Sequence, residues 1–217
     1  MTLKFEFAER LKKLPPYLFA EIDKAKREAI KEGKDIIDLG IGDPDKPTPK
    51  FVIDRLKEAA EDPKNHRYAL DLGMKEFREA IAAWYKKRFN VTLDPKAEIQ
   101  PLIGSKEGIA HIPLAFINPG DAVLVPDPCY PPYKSGTIFA GGIPHIMPLL
   151  SKNNFMPELD RVPSEVLKKA KMIFLNYPNN PTSAVAEKDF LRKVVEFAGK
   201  NNILVCYDAA YSEVAYD

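Results

Sequence analysis

Four short segments of this sequence carry side chains able to bind or react, and each follows an apolar run. After residues 99–103 comes Gly104-Ser105-Lys106-Glu107-Gly108. A glycine turn that opens a helix leaves backbone N–H groups free to cradle a phosphate, to which Ser105 adds a hydroxyl and Lys106 a charge. It is not a P-loop, which needs two glycines five apart before the lysine. After 122–126 comes Asp127-Pro128-Cys129-Tyr130-Pro131-Pro132-Tyr133, where prolines fix the loop and hold Tyr130 as a ring to stack on a flat ligand. After 172–176 comes Tyr177-Pro178-Asn179-Asn180-Pro181-Thr182-Ser183, in which the Asn180 amide can donate to a ligand oxygen. After 203–207 comes Asp208-Ala209-Ala210-Tyr211, an acid at the end of an apolar strand, costly to bury unless paired.

Each segment alone has a plainer explanation. Helix caps account for Gly104-Ser105 and Asp208, an Asn-Pro turn for Asn180, and packing on prolines for Tyr130. Together, at one sheet edge, they form a phosphate cradle, a stacking ring, an amide donor and a buried acid followed three residues later by a phenol. That set suits a planar, phosphorylated heteroaromatic ring with a basic nitrogen and a phenolic oxygen. Pyridoxal phosphate has those features.

The elements that must position these groups follow from periodicity. Strands are predicted at 99–103, 122–126, 143–149, 172–176 and 203–207, all near-continuous apolar runs. A helix is predicted over 187–200 with Leu191, Val194, Val195 and Ala198 as its stripe. Such strands joined by helical crossovers imply an α/β fold with a mostly parallel sheet covered on both faces, which binds ligands at the strand carboxyl ends. Toward the N-terminus, helices are predicted at 18–32, ended by Gly33, from Thr48-Pro49 with Val52, Leu56 and Ala59 inward, and at 74–89 with Trp84 in the core. Cys206 is expected to be buried and inert, and Cys129 to lie near the ligand without acting as a nucleophile.

Composition narrows the classes. Lys and Arg number 32 against 31 Asp and Glu, so the basic surplus that counterion release demands of a nucleic-acid binder is missing. With 45% hydrophobic and 29% charged residues the chain reads as globular rather than disordered. No apolar run reaches the roughly 20 residues of a membrane helix, and there is no signal-peptide core, so the expected location is cytoplasmic. Two cysteines and three scattered histidines provide no disulfide framework and no metal spacing.

On Leu39-Gly40-Ile41-Gly42-Asp43-Pro44, the Asn176–Thr182 loop and Tyr17-Leu18-Phe19, the whole chain resembles the N-terminal part of the class I/II aminotransferases, fold-type I pyridoxal phosphate enzymes, and among them the LL-diaminopimelate aminotransferase group. The resemblance implies a three-layer large domain over 48–217, incomplete at its C-terminus, with 1–47 an arm and helix contributing to the small domain. It implies pyridoxal 5'-phosphate bound by Asp208 at the ring nitrogen, Asn180 and Tyr211 at the phenolic oxygen, Tyr130 on the ring face, and Ser105 and Lys106 at the phosphate. It further implies a homodimer with a shared active site, Tyr68 of one subunit reaching the other's phosphate. Tyr17, Gly42, Lys106, Tyr130 and Asn180 are the implied contacts to the amino acid and 2-oxo acid substrates.

Two departures stand out. Ser183 occupies the glycine position of the family's Asn-Pro-Thr-Gly, so any left-handed backbone requirement there is expected to be relaxed. The family's Schiff-base lysine follows the Asp208 and Tyr211 positions by some tens of residues, and this sequence has no lysine after Asp208. The 217 residues alone are therefore expected to be catalytically inactive and the first part of a longer protein, and to be poorly soluble because an incomplete sheet exposes an edge and apolar surface. A non-catalytic pyridoxal phosphate-binding fragment or regulatory remnant is the alternative. A dinucleotide-binding module is disfavoured, because Asp45 takes the third glycine position after Gly40 and Gly42, and Pro44 and Pro47 prevent an immediate helix.

Overall fold

The computed structural model describes residues 4–16, 18–40, 42, 45–69 and 72–214, without the side chains of Leu18 and Phe19. In chain order the helices are α1 (Glu9–Lys12), α2 (Leu18–Lys31), α3 (Lys50–Glu61), α4 (Lys75–Phe89), α5 (Ser105–Phe116), α6 (Pro131–Phe139), α7 (Ser164–Leu167) and α8 (Lys188–Asn201). The strands are β1 (Ala122–Asp127), β2 (Ile143–Pro148), β3 (Ala170–Asn176) and β4 (Leu204–Asp208). The chain divides into two units, residues 1–14 with 102–217, and residues 15–101.

The first unit is a parallel sheet between helices. Strand order is β2-β1-β3-β4, and every pairing is parallel. All positions of β1 from Ala122 to Pro126 are buried, as a sheet covered on both faces requires. The strand pleat sorts the core into two clusters. Leu124, Ile173 and Leu175 face Val194 and Ala198 of α8. Val123, Val125, Met172 and Phe174 face Ile109 of α5 and Tyr133 of α6. Helix, sheet and helix thus form the three layers expected.

Three details differ from the sequence pattern. Residues 99–103 form no strand. Pro101 has no N–H to offer a ladder, and the Ile103 N–H donates instead to the Glu107 carboxylate at 2.7 Å. The α8 stripe is centred on Phe190, Val194, Phe197, Ala198 and Asn201, so Val195 lies past its rim and is 66% exposed. Cys206 is only partly buried, because β4 is an outer strand of the sheet described.

Helices α5 and α6 pack closely where Gly136 meets the backbone of Ala110. A Cβ there would stand 2.9 Å from the Ala110 carbonyl oxygen. Gly136→Ala is expected to cost about 2–3 kcal/mol by overpacking, offset by about 1 kcal/mol of helix propensity. The net result is a Tm several degrees lower in a thermal melt.

The second unit contains α2, α3 and α4. Helix α2 ends before Gly33, which adopts φ +76° while the Lys34 N–H returns to the Ala29 carbonyl. Helix α3 starts one position later than Thr48-Pro49 predicts. Pro49 is its N-cap, and no side chain caps it. Val52, Leu56 and Ala59, expected inward, are exposed, since no described residue of that unit covers the face. Trp84 is likewise no core residue. It is 42% exposed and packs edge-on against Tyr85 and Phe89 at 5.2 Å each. Residues 34–39 form no strand, and Asp38 holds Lys26 while accepting from the Gly40 N–H at 2.9 Å. No strand precedes Gly40 and no helix follows until Lys50 among the described residues, so the dinucleotide pattern lacks its context. Among the described residues no helix is long and apolar enough to cross a membrane, and no cluster of His, Cys, Asp and Glu could hold a metal.

Candidate active site

The strand order reverses between β1 and β3, the switch point at which an open parallel sheet leaves a crevice. A cavity of about 140 Å³ lies at the carboxyl ends of the strands there, with Ser105, Tyr130, Asn176, Asn180, Asp208 and Tyr211 in its lining. That is about the space one six-membered ring occupies. A larger groove of about 770 Å³ runs between residues 157–162 and α8, and it contains none of the strand-end residues.

Asp208 is the last residue of β4 and is 8% exposed. Its Oδ2 accepts a hydrogen bond from the Tyr133 hydroxyl at 2.8 Å, and its backbone carbonyl accepts from the Asn176 amide at 2.8 Å. Asn176 and Asp208 are register partners across β3 and β4. No cation pairs with this carboxylate among the described residues. A buried carboxylate with one donor and no cation is suited to a protonated ring nitrogen.

The Asn180 amide donates to the Tyr211 hydroxyl at 3.2 Å, which brings the two groups expected at a phenolic oxygen to one edge of the cavity. Asn180 is held in turn by its backbone N–H, which donates to Asn176 Oδ1 at 2.6 Å. The Tyr130 ring stands edge-on to Tyr133 at 5.9 Å, and the Lys106 ammonium lies 5.9 Å from the Tyr130 ring centre. Ser105 opens α5 after Gly104, whose φ of +85° turns the chain and whose lack of a side chain leaves the first N–H groups of the helix uncapped. An anion fits that end.

The 179–184 loop is stapled internally. Thr182 donates from its hydroxyl to Asn179 Oδ1 at 2.7 Å, and the Ser183 N–H donates to the Asn179 carbonyl at 2.8 Å. Ser183 adopts φ +60°, so the left-handed requirement persists where relaxation was expected. The staple outweighs the penalty of a side chain in that region. Ser183→Gly removes that penalty of about 1–2 kcal/mol while adding some backbone entropy cost. A gain of roughly 0.5–1 kcal/mol is expected in a urea midpoint measurement.

Burial pushes the Tyr133 phenol well above its ordinary range, and the Asp208 charge pushes it further, so it stays a donor. Burial and the charge of Asp127 raise the Cys129 thiol to about 12. Burial and then Asp208 raise Cys206 to about 11. Both thiols therefore remain protonated at neutral pH and are poor nucleophiles.

The cavity brings together Ser105, Tyr130, Asn180, Asp208 and Tyr211, with Lys106 beside Tyr130. Tyr68 and Gly42 belong to the other unit, and the Tyr68 ring is 95% exposed. Tyr17 lies outside the described residues. Tyr133 and Asn176 belong to the site without having a role in the expectations above. Asn176 had a signal, a polar residue ending an apolar strand just as Asp208 does. The contact of Tyr133 with Asp208 spans 75 positions and had none.

Over residues 34–217 the chain matches the family described as aminotransferase class I and II, and it belongs to that family. It is 58% identical over 210 residues to LL-diaminopimelate aminotransferase of Aquifex aeolicus, covering 97% of this chain and 54% of that protein. It is 56% identical over 214 residues to LL-diaminopimelate aminotransferase of Syntrophobacter fumaroxidans, covering 99% and 55%. Substrate-bound BacF from Bacillus subtilis superposes with a TM-score of 0.89 at 38% identity, over 96% of this chain and 53% of that one. Aspartate aminotransferase from Thermotoga maritima does so at 0.86 and 30%, over 97% and 56%. The chain spans about half the length of the curated relatives it matches. The family implies pyridoxal 5'-phosphate as cofactor. The residues present fit it, with a carboxylate lacking a cation, an amide–phenol pair, a flanking ring and an uncapped helix start around a ring-sized cavity.

Proposed function

We propose that the protein transfers the amino group of an amino acid to a 2-oxo acid with pyridoxal phosphate bound at this cavity, and that the amino acid is LL-diaminopimelate. The observation that carries the reading is the buried Asp208 carboxylate, with Tyr133 as its hydroxyl donor and no cation among the described residues. The names of the relatives support the substrate.

In this reading Asp208 accepts the proton-bearing ring nitrogen. Asn180 and Tyr211 donate to the ring oxygen, and Tyr130 covers one ring face and excludes water from it. Ser105, the N–H groups at the start of α5 and Lys106 hold the phosphate. The cofactor, when bound, supplies an electron sink for a carbanion at the substrate α-carbon. Gly42 offers a backbone contact to a substrate carboxylate, and Tyr17, Lys106, Tyr130 and Asn180 complete the substrate contacts. A second copy of the chain shares the site, with the exposed Tyr68 reaching the partner's phosphate.

The intact protein, purified from its natural source, is expected to bind pyridoxal phosphate saturably in a fluorescence titration. It is also expected to move nitrogen from LL-diaminopimelate to at least one member of a panel of 2-oxo acids. No binding and no transfer with any pair would overturn the proposal. Transfer from a different amino acid would keep the reaction and replace the substrate.

A further inference from the structure

Tyr133 contributes to the site without lining the cavity. Its ring is fully buried, and it stacks on Phe174 of β3 with centroids 4.8 Å apart and planes 10° from parallel. Its hydroxyl is 2.8 Å from Asp208 Oδ2. The same aspartate is pinned through its backbone carbonyl by Asn176. One carboxylate oxygen is thereby occupied, and Oδ1 has no protein partner among the described residues. The ring stacking fixes where the hydroxyl sits, so the hydroxyl fixes the carboxylate plane.

We propose that Tyr133 is a positioning residue that sets the orientation and proton affinity of Asp208, so that Oδ1 is presented ionised to the cofactor's ring nitrogen. The assignment rests on the pyridoxal phosphate reading above. Removing a hydrogen bond to an ionised group makes the group take up its proton more readily. Among the described residues the other titratable groups around the pair are Cys129, Cys206, Tyr130 and Tyr211, with the Asp127 charge acting on Cys129 and the Lys106 ammonium beside the Tyr130 ring. Both thiols are held protonated by burial, and the two phenols line the cavity.

The test is the pH dependence of pyridoxal phosphate affinity in the full chain, read by fluorescence titration, which needs no turnover. Affinity falls on the acid side where Asp208 becomes protonated. In Tyr133→Phe, which keeps the stacked ring, that acid limb is expected to move up by about one pH unit, the size of one lost hydrogen bond to a charged group. Site-specific difluorotyrosine in place of Tyr133 keeps both packing and hydroxyl and is a stronger donor, so it is expected to move the limb down. A role in packing alone would lower Tm or weaken binding equally at all pH values without moving the limb. If Asp208→Asn removes the limb while both Tyr133 replacements leave it in place, the proposal is overturned and the cofactor reading stands. If Asp208→Asn changes neither the limb nor the affinity, both are overturned.

Discussion

Asp208→Asn is expected to weaken pyridoxal phosphate binding about a hundredfold while leaving the unliganded Tm unchanged or slightly higher. The amide has the shape of the carboxylate and can still accept from the Tyr133 hydroxyl, so local packing survives. The buried charge is gone, and with it the desolvation penalty that the native carboxylate bears in a site lacking a cation. What the variant cannot do is neutralise a protonated ring nitrogen, and its NH₂ group would meet that N–H donor to donor. Truncating one member of a buried, hydrogen-bonded charge pair costs about 2–5 kcal/mol, and about 3 kcal/mol corresponds to the hundredfold loss. A cofactor titration beside a thermal melt separates the two effects. Unchanged affinity would remove Asp208 from the site, and a Tm drop of many degrees would make its role structural.

Phe174→Ala is expected to lose about 4 kcal/mol of stability. Phe174 is fully buried in β3, which has a strand on either side, and its ring is the platform for Tyr133. Truncation leaves a cavity that two sheet strands and the Tyr133 ring are too constrained to fill. In urea the midpoint falls while the slope stays constant, as for a change in stability alone. Phe174→Leu, which keeps most of the volume, is expected to lose roughly 1–1.5 kcal/mol. Losses of equal size in the two variants would mean that the site collapses freely and that the platform is not rigid.

The parts of this fold that were legible in sequence are those whose signal is local. Continuous apolar runs announced all four strands: β1 and β3 are buried on both faces and have little room for polar residues, whereas β2 and β4 are the outer strands of the sheet described and are only partly buried. Chain reversals placed Tyr130, Asn180, Asp208 and Tyr211 directly after those runs, which put them at one sheet edge. Residues 99–103 were equally apolar, yet strand formation requires a partner and Pro101 denies part of the ladder. The face of α3 that bears Val52 and Leu56 shows the same limit. An amphipathic pattern says that a helix has a side to bury, not that its own unit supplies the cover. Ser183 departs from expectation because the carbonyl and hydroxyl that hold it left-handed come from Asn179 and Thr182, a network visible only in three dimensions. Tyr133 leaves no trace in the sequence pattern for a related reason. The partner of its hydroxyl is distant in sequence, and a tyrosine after two prolines offers no cue to such a contact.

The in-step pairing of β3 with β4, from Met172 beside Leu204 to Asn176 beside Asp208, makes residue spacing part of the chemistry. Each residue added within β4 would carry Asp208 about 3.3 Å along the sheet and turn its side chain to the opposite face, away from both Tyr133 and the cavity. The same residue added in the 184–187 approach to α8 would only lengthen a loop. Across a collection of homologous sequences, gaps should therefore gather in the connections and stay out of 172–176 and 204–208. For anyone transplanting this site to another scaffold, the distance to preserve is counted back along the strands from Asn176 and Asp208.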